Sequence, residues 1–395
     1  MWKVVDELSC KSRCVYNDAM YITRQWFINN NIWIRSRWLD KLMQLTSNSY
    51  YDLGTQSSQG MVRLIEKNWK SYFVAIKDWA AKDGKGYSGK PKLPGYKKKD
   101  GRAIVLLKPA MCYIKNNEIY FAWEPLRKFT GIKTNIKTRI IETRFVPQNS
   151  CYWMEFVYRM EVPEIESNHK NIIGIDLGVS NFATISNNTG AKPIIINGRI
   201  ITSINHQFNK TKAEIQSKTK MVVNNRIKNL TDKRSRRLDY LMHTFSRFAI
   251  NYCKENNIGT IVLGKNDGWK DGLNIGHKNN QIFEDIPYLS FINKLTYKCE
   301  NEGINLIKTE ESYTSGTSFI DNELPVKDNY NKTRKKKRGL FISNDGIKIN
   351  ADLNASYQIV KKVLPNAFEQ RDIGYAYYPV RLTISNKAYQ DYRYA

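Results

Sequence analysis

The chain lacks the features that mark membrane-spanning and secreted proteins. No run of about twenty apolar residues occurs among its 395 residues, which excludes a helix that crosses a membrane. Residues 1–7 do not have the character of a signal peptide, and the six cysteines form no CxxC pair. The cysteines therefore predict reduced, mostly buried thiols. We expect an intracellular protein without a membrane partner, either in the cytoplasm of a prokaryotic cell or associated with its nucleoid.

Acidic residues are also scarce relative to basic ones. Lysine and arginine number 63 against 37 acids, which gives a net charge of +26. This excess is too large for an enzyme of a neutral small molecule and favours a polyanionic partner, with a solvated basic surface as the alternative. Aromatic residues make up 12% of the chain and offer surfaces on which bases can stack. The composition therefore favours a nucleic-acid-binding protein.

The first region, residues 1–82, has apolar residues at helical spacing. The helical pattern runs from Lys11 to Leu45, although three consecutive asparagines at 29–31 break it. A second helix follows Gly54, and one of its faces is basic. That face is either solvated or lies along a phosphate backbone, and the net charge favours the second interpretation. Its candidate phosphate contacts are Arg63, Lys67 and Lys70.

The second region, residues 83–168, begins with a loop rich in glycine, proline and lysine. Short strand-like runs separated by polar turns follow between Ala103 and Val162, and they predict a small barrel or sandwich. Small barrels often bind nucleic acid, but the fold alone does not establish it. The loop adds candidate phosphate contacts at Lys97, Lys98 and Lys99.

The third region, residues 169–395, has the element order of an RNase H-like domain. A buried strand ends at Asp176, a tight turn spans 178–181, and two further strand-like runs follow. A long polar helical stretch from 207 to 256 precedes alternating strands and helices, which end in a helix at 350–363. We therefore predict an α+β multidomain protein with a helical region, a small barrel and a C-terminal α/β domain. The helical stretch adds candidate phosphate contacts at Arg234, Arg236 and Arg237.

Three acidic positions stand out in the third region: Asp176, an acid after the strand 304–309, and Asp352. A carboxylate that ends a buried strand is costly unless a positive group lies beside it, and a metal ion is a common one. Carboxylates without histidine or cysteine suit magnesium. RNase H-like domains hold two divalent metals between such acids, one to activate water and one to stabilise the leaving oxygen of a phosphodiester. A turn or capping role for Asp176 and a helix-capping role for Asp352 remain the alternatives.

The same residues carry a family resemblance. The run from Ile173 to Thr184 resembles the first RuvC motif of the transposon-encoded TnpB proteins, and Asn350 to Ser356 is similar to the third. TnpB proteins are RNA-guided DNA endonucleases related to type V CRISPR effectors. Residues 68–73 resemble part of the recognition region of the family, and the likeness covers most of the chain. The branch shared with the eukaryotic Fanzor proteins is indicated by residues 261–276, 279–281 and 310–315.

One departure from the family pattern concerns the middle acid. The usual glutamate of the second motif should follow the strand 260–263, yet Gly264 occupies that position. In the branch that the chain resembles, the acid is supplied further along, which here means Glu310 or Glu311. Because neighbouring residues of a strand face opposite ways, we expect Glu311 to be the ligand and Glu310 to face away.

A second departure concerns the insert at about 314–349, where the family often carries four zinc-binding cysteines. The four matching positions hold Ser318, Asp321, Ile342 and Asp345. The resemblance therefore implies a zinc-finger-like insert without structural zinc. The basic linker of the insert is either solvated or in contact with a nucleic-acid backbone through Lys335, Lys336 and Arg338.

Family members also commonly begin with a barrel strand, for which Met1 to Leu8 is the candidate.

The resemblance implies a magnesium-dependent endonuclease that binds a structured guide RNA and cuts complementary double-stranded DNA beside a short flanking motif. Asp176, Glu311 and Asp352 would hold two magnesium ions. The helical and wedge-like barrel regions would hold RNA, with the protein acting as a monomer or as a dimer on the RNA. The alternatives are an RNA-guided repressor without cleavage and a DDE-type transposase, whose last acid is normally a glutamate. A sugar-kinase or actin-like ATPase would need a second phosphate-binding hairpin, which the sequence lacks.

Overall fold

The chain forms two compact units, residues 1–161 and 162–395, and its fold is mixed α+β, as the sequence predicts. No helix in the described part of the chain is both long and apolar enough to cross a membrane. The computed structural model describes residues 1–162, 170–265, 276–337, 339–369, 377 and 379–383.

The first unit opens with helices. Its described helices are α1 (Trp2–Asn30), α2 (Ser36–Thr46), α3 (Asn48–Leu53) and α4 (Thr55–Ala81). α1 ends where Asn31 takes a left-handed conformation with φ of 52°, within the asparagine run that predicted a break. The expected barrel strand at Met1–Leu8 is wrong, because α1 already begins at Trp2 and buries Val5 and Leu8 in the core of the unit.

The strands of the first unit form two antiparallel three-stranded sheets, and the described residues do not close into a barrel. In chain order the strands are β1 (Val105–Leu107), β2 (Cys112–Lys115), β3 (Glu118–Phe121), β4 (Ile132–Lys133), β5 (Ile140–Pro147) and β6 (Tyr152–Tyr158). One sheet has the order β1-β5-β6 and the other β2-β3-β4. Buried serines tie the helices to this part: Ser12 Oγ donates to Ile104 O at 2.6 Å, and Ser57 Oγ donates to Leu106 O at 2.8 Å. The helices and strands of this unit therefore share one core.

The second unit is built around a six-stranded sheet with the strand order β11-β10-β7-β8-β9-β15. Its elements in chain order are β7 (Ile172–Leu177), β8 (Asn181–Asn187), β9 (Ile194–Asn197), α5 (Arg199–Thr219), α6 (Asn225–Glu255), β10 (Thr260–Gly264), α7 (His277–Glu284), α8 (Tyr288–Asn301), β11 (Asn305–Thr309), β12 (Lys335–Lys337), β13 (Leu340–Ile342), β14 (Lys348–Asn350), α9 (Ala351–Val363) and β15 (Val380–Leu382). β7, β8 and β9 pair antiparallel, whereas β10 runs parallel to β7 and β11. Three antiparallel strands followed by alternating helices and strands agree with the predicted element order.

The two faces of this sheet are covered by different helices. On one face Phe182 of β8 packs with ring centroids 4.9 Å from Phe245 of α6 and 5.1 Å from Phe291 of α8. All three rings are fully buried, and burial of each contributes about 1.5–3 kcal/mol. Ile173 and Ile175 of β7 belong to the same core cluster. Because side chains alternate along a strand, the residues between and after them face the other side of the sheet, where α9 packs.

The single helical stretch predicted from 207 to 256 is two helices. α5 ends where Lys220 takes φ of 52°, and α6 begins after Asn224, whose Oδ1 accepts a hydrogen bond from Ile227 N at 2.9 Å. The residues between them are apolar, and neither glycine nor proline marks the break. Apart from the capping asparagine, no strong sequence signal marks the break between α5 and α6.

Candidate active site

The strand β7 and the helix α9 meet at Gly174. A Cβ atom added there would lie 2.2 Å from Ser356 O and 2.6 Å from Val360 Cγ2, so the glycine is required for this close approach. Asp176 is two residues further along β7 and faces the same side of the sheet. The packing of α9 on Gly174 therefore brings Asp176 beside the first turn of that helix.

Asp352 lies in the first turn of α9 but does not cap it. Asn350 is the capping residue, because its Oδ1 accepts hydrogen bonds from Asp352 N at 3.0 Å and from Leu353 N at 3.2 Å. The Asp352 carboxylate is therefore available for another role. Its Oδ2 accepts a hydrogen bond from Asn181 Nδ2 at 2.6 Å.

Glu311 reaches the same region from the end of β11. The parallel pairing of β10 and β11 sets Gly264 opposite Thr309, two residues before Glu311. A Cβ atom on Gly264 would lie 2.6 Å from Glu311 Oε1 and 2.7 Å from Ile359 Cδ1. The Glu311 side chain therefore occupies the space into which a side chain at position 264 would extend. A residue larger than glycine at position 264 would clash with Glu311. The glycine at the usual place of the middle acid and the glutamate further along therefore depend on each other.

Glu310 faces away from this group. Its side chain is exposed, forms an ion pair with Lys362 and accepts a hydrogen bond from the Ser312 hydroxyl. The contacts of Lys362, and then of Ser312, lower the pKa of the Glu310 carboxyl. The two neighbouring glutamates thus have different environments, and the structure places Glu311 with the other acids.

The electrostatics couple three carboxyl groups from distant parts of the chain. Burial raises the pKa of Asp176 well above its ordinary value, and the negative charges of Glu311 and Asp352 raise it further. Burial also raises the pKa of Glu311 to about 7. Lys335 of β12 acts in the opposite direction and favours the charged form of Asp176. The group therefore carries an unfavourable negative charge that a cation would relieve.

The spacing of these acids limits how they bind an ion. Within the described residues, no three side chains of His, Cys, Asp or Glu converge closely enough to hold one metal ion together. The donor chemistry nevertheless fits magnesium, which prefers hard oxygen ligands and keeps several of its waters.

Two family models match the chain over the parts that carry these acids. A model of the OrfB_IS605 family, described as a probable transposase, matches residues 155–270. A model of the Cas12f1-like TNB domain matches residues 288–359. Both matches fit the resemblance of the chain to TnpB-like proteins and type V effectors. The matches confirm the resemblance indicated by residues 173–184 and 350–356, and no curated protein matches the chain.

Solved structures similar to this chain include two Cas12f structures and a Cas-phi structure. The Cas12f1–sgRNA–target DNA complex has 17% identity and a TM-score of 0.40, with 91% of this chain and 94% of that chain covered. A CRISPR-Cas12f ternary complex has 14% identity and a TM-score of 0.39, with 90% and 80% covered. The mini-RNA-guided endonuclease Cas_phi3 has 13% identity and a TM-score of 0.34, with 59% and 52% covered.

The insert at about 314–349 is held by an ion pair and hydrogen bonds. Arg334 donates to both carboxylate oxygens of Glu323, at 2.5 Å and 2.8 Å, and both side chains are largely buried. Arg334 also donates to Asn344 Oδ1 at 2.9 Å, and Asn344 N donates to Asp321 Oδ2 at 2.9 Å. These contacts link the loop that holds Asp321 to the β12–β14 sheet.

The insert in turn supports the helix that carries Asp352. Asn354 of α9 is fully buried, accepts a hydrogen bond from Phe319 N at 2.9 Å and donates one to Thr317 O at 2.8 Å. The Phe319 ring stacks on Tyr357 with centroids 4.1 Å apart. The position of α9 therefore depends on the insert as well as on β7.

Arg334→Ala is expected to lower the free energy of unfolding of the second unit by about 3–5 kcal/mol, because it leaves the Glu323 carboxylate buried without its ion-pair partner. Thermal and urea unfolding of the purified protein measure this effect. Lys332→Ala is the matched control, because Lys332 is an exposed basic residue in the same segment. Equal unfolding temperatures for the two variants would contradict the structural role of Arg334.

The predicted phosphate contacts differ in how exposed they are. Arg234 is partly buried: its guanidinium pairs with Asp285 Oδ1 at 3.0 Å and lies 4.9 Å from the Phe208 ring centroid, so it has a role within the fold. Arg338 lies outside the described residues. The exposed members are Arg63, Lys67, Lys70, Lys97, Lys98, Lys99, Arg236, Arg237, Lys335 and Lys336.

Asn181 is a member of the site that the sequence reasoning treated only as a turn residue. It follows the turn that begins at Gly178, and its partner Asp352 is 171 positions away. The local sequence signals the turn, but the contact depends on how α9 packs on the sheet. The local sequence offers no more than a polar residue at the start of a buried strand as a sign of this contact.

Proposed function

We propose that the protein is an RNA-guided, magnesium-dependent DNA endonuclease of the TnpB type. The observation that carries the proposal is the placement of Asp176, Glu311 and Asp352 by β7, by the strand pair at Gly264 and by the packing of α9 on Gly174. The negative charges of Glu311 and Asp352, which raise the pKa of Asp176, agree with this placement. The second unit would then be the RuvC-like nuclease domain, and the first unit would hold the recognition helices and the wedge-like strands. The family matches support the nuclease class.

Asp176, Glu311 and Asp352 are the residues that would hold the two magnesium ions. When bound, the ions supply activation of water and stabilisation of the leaving oxygen of the phosphodiester. The chain's own residues supply the ligand oxygens and fix their places. Asp176 lies on a strand at the middle of the sheet, and Asp352 on a helix held by buried contacts. No structural zinc is proposed for the insert.

The partners are a guide RNA and double-stranded DNA. The net charge of +26 and the exposed lysines and arginines of both units suit the phosphate backbones of both. Base pairing with the guide would read the target sequence, so the protein itself needs to read only a short flanking motif. Two of the similar solved structures are described as complexes of Cas12f, one of them with sgRNA and target DNA.

The alternatives explain the acids less well. A repressor without cleavage gains nothing from buried carboxyl groups whose pKa values are raised, because these weaken the fold. A DDE-type transposase would place a glutamate on the last helix, where this chain has Asp352. The description of one matching family as a probable transposase keeps this alternative open to experiment.

The proposal is tested on the purified protein and on the RNA that copurifies with it. We expect a discrete RNA whose end can be reprogrammed to direct magnesium-dependent cleavage of a plasmid. Absence of copurifying RNA, combined with strand transfer of transposon ends, would support the transposase. Specific binding of the matching plasmid without cleavage would support the repressor.

Glu311→Gln is expected to reduce cleavage by about 100-fold or more, which corresponds to about 3 kcal/mol of transition-state stabilisation. Glu310→Gln is expected to leave cleavage within about threefold of the wild type, since Glu310 is exposed and bound to Lys362. Single-turnover cleavage of a matched plasmid compares these isosteric changes at adjacent positions. The reverse order of effects would assign the middle acid to Glu310.

A further inference from the structure

Asn181, at the start of β8, contacts one of the acids, Asp352 of α9. Its Nδ2 donates to Asp352 Oδ2 at 2.6 Å. The nitrogen must be the atom that faces Asp352, because the amide oxygen would repel a carboxylate. Asn181 thus fixes one oxygen of an acid whose backbone is already fixed by the Asn350 cap.

The other end of the Asn181 amide has no protein partner in the described residues. Its side chain is 9% exposed, and its Oδ1 is buried without a hydrogen bond. Such an acceptor weakens the fold unless water or a ligand satisfies it. The atom lies on the same amide group that holds Asp352, so whatever satisfies it lies close to Asp352.

The backbone of Asn181 is held firmly by the turn before it. Gly178 N donates to Phe182 O at 3.2 Å, and Gly198 N donates to Ser180 O at 2.9 Å. A Cβ atom on Gly178 would lie 2.7 Å from Asn181 O, so the turn has no room for a larger residue. A side chain on such a rigid turn is well suited to orient a neighbouring acid.

We propose that Asn181 is a positioning residue of the active site. Its amide nitrogen orients Asp352, and its amide oxygen accepts a hydrogen bond from a water of the hydrated magnesium ion. Magnesium keeps several waters when it binds through few carboxylates, so an acceptor beside the acids suits it. This inference rests on the proposed function.

The hydrogen bond between Asn181 and Asp352 is tested by exchanging the two residue types in the metal-free protein. Asn181→Asp sets a second carboxylate against Asp352 and is expected to lower the unfolding temperature. Adding Asp352→Asn restores a donor–acceptor pair in reverse, and most of the lost stability should return. Asn135→Asp is the control, because Asn135 is an exposed asparagine of the first unit. No destabilisation by Asn181→Asp, or none recovered in the double variant, would overturn the contact.

The role toward the metal is tested with Asn181→Ala. Manganese binding to the protein without nucleic acid, followed by electron paramagnetic resonance, is expected to weaken about tenfold. In the guide-loaded protein, the magnesium concentration for half-maximal cleavage should rise about tenfold, while the affinity for guide RNA stays unchanged. Unchanged metal dependence, with cleavage still lost in Asp176→Asn, would overturn this inference alone. Cleavage that survives Asp176→Asn would instead overturn the proposed function.

Discussion

Asp176→Asn is expected to abolish guided DNA cleavage and to leave guide RNA binding intact. A loss of about 1,000-fold or more, or about 4 kcal/mol in the barrier, is expected if Asp176 is a ligand of the metal ions. Asp176 is chosen because the charges of both Glu311 and Asp352 act on its pKa. The substitution keeps the shape of the side chain and removes only the charge.

The same variant is expected to be more stable than the wild type when magnesium is absent. The folded protein disfavours the charged form of Asp176, so removing the charge removes a cost of folding. Magnesium should raise the unfolding temperature of the wild type and have little effect on the variant. Plasmid cleavage, RNA binding and thermal unfolding are measured on the same preparations, with Glu214→Gln as an exposed acidic control on α5. A variant that cuts at the wild-type rate would contradict the assignment of Asp176.

Gly264→Ala is expected to reduce cleavage by about 100-fold, although it adds only one methyl group. The new Cβ would lie 2.6 Å from Glu311 Oε1, so the carboxylate must move away from its present place. Fold stability should fall by only about 1–3 kcal/mol, because the end of a flexible side chain can move aside. Gly95→Ala is the control, since a Cβ atom there meets nothing within 4 Å.

The coupling between positions 264 and 311 also predicts a rescue. Glu311→Ala alone should be inactive, and adding Gly264→Glu should return at least tenfold of the lost cleavage, because the new glutamate occupies the space that Glu311 vacates. The measurement is single-turnover cleavage of a matched plasmid by the single and double variants. A fully active Gly264→Ala variant would show that Glu311 is not the acid that this space holds.

Features set by neighbouring residues could be predicted from the sequence. The β7–β8 hairpin follows from two apolar runs around the turn at Gly178, and the start of α9 follows from the Asn350 cap. Asp176 and Asp352 can be recognised as candidate acids from the sequence, because each lies at the end of a locally recognisable element. The family resemblance then narrowed the middle acid to two adjacent glutamates.

Features that depend on distant contacts could not be predicted in the same way. The helical state of residues 2–8 depends on burial of Val5 and Leu8 against other elements, and the pairing of the β1–β6 strands depends on long-range register. The steric link between Gly264 and Glu311 depends on the β10–β11 pairing. The contact of Asn181 with Asp352 likewise joins residues that only the folded sheet and helix bring together.

The most direct measurement is cleavage of two plasmids by the wild-type protein purified with its RNA. One plasmid matches the guide and the other carries a scrambled target, and each is incubated with magnesium or with a chelator. We expect the matched plasmid to be cut in magnesium and no plasmid to be cut in the other three mixtures. Cutting of the scrambled plasmid, cutting in the chelator, or an uncut matched plasmid in magnesium would contradict this expectation.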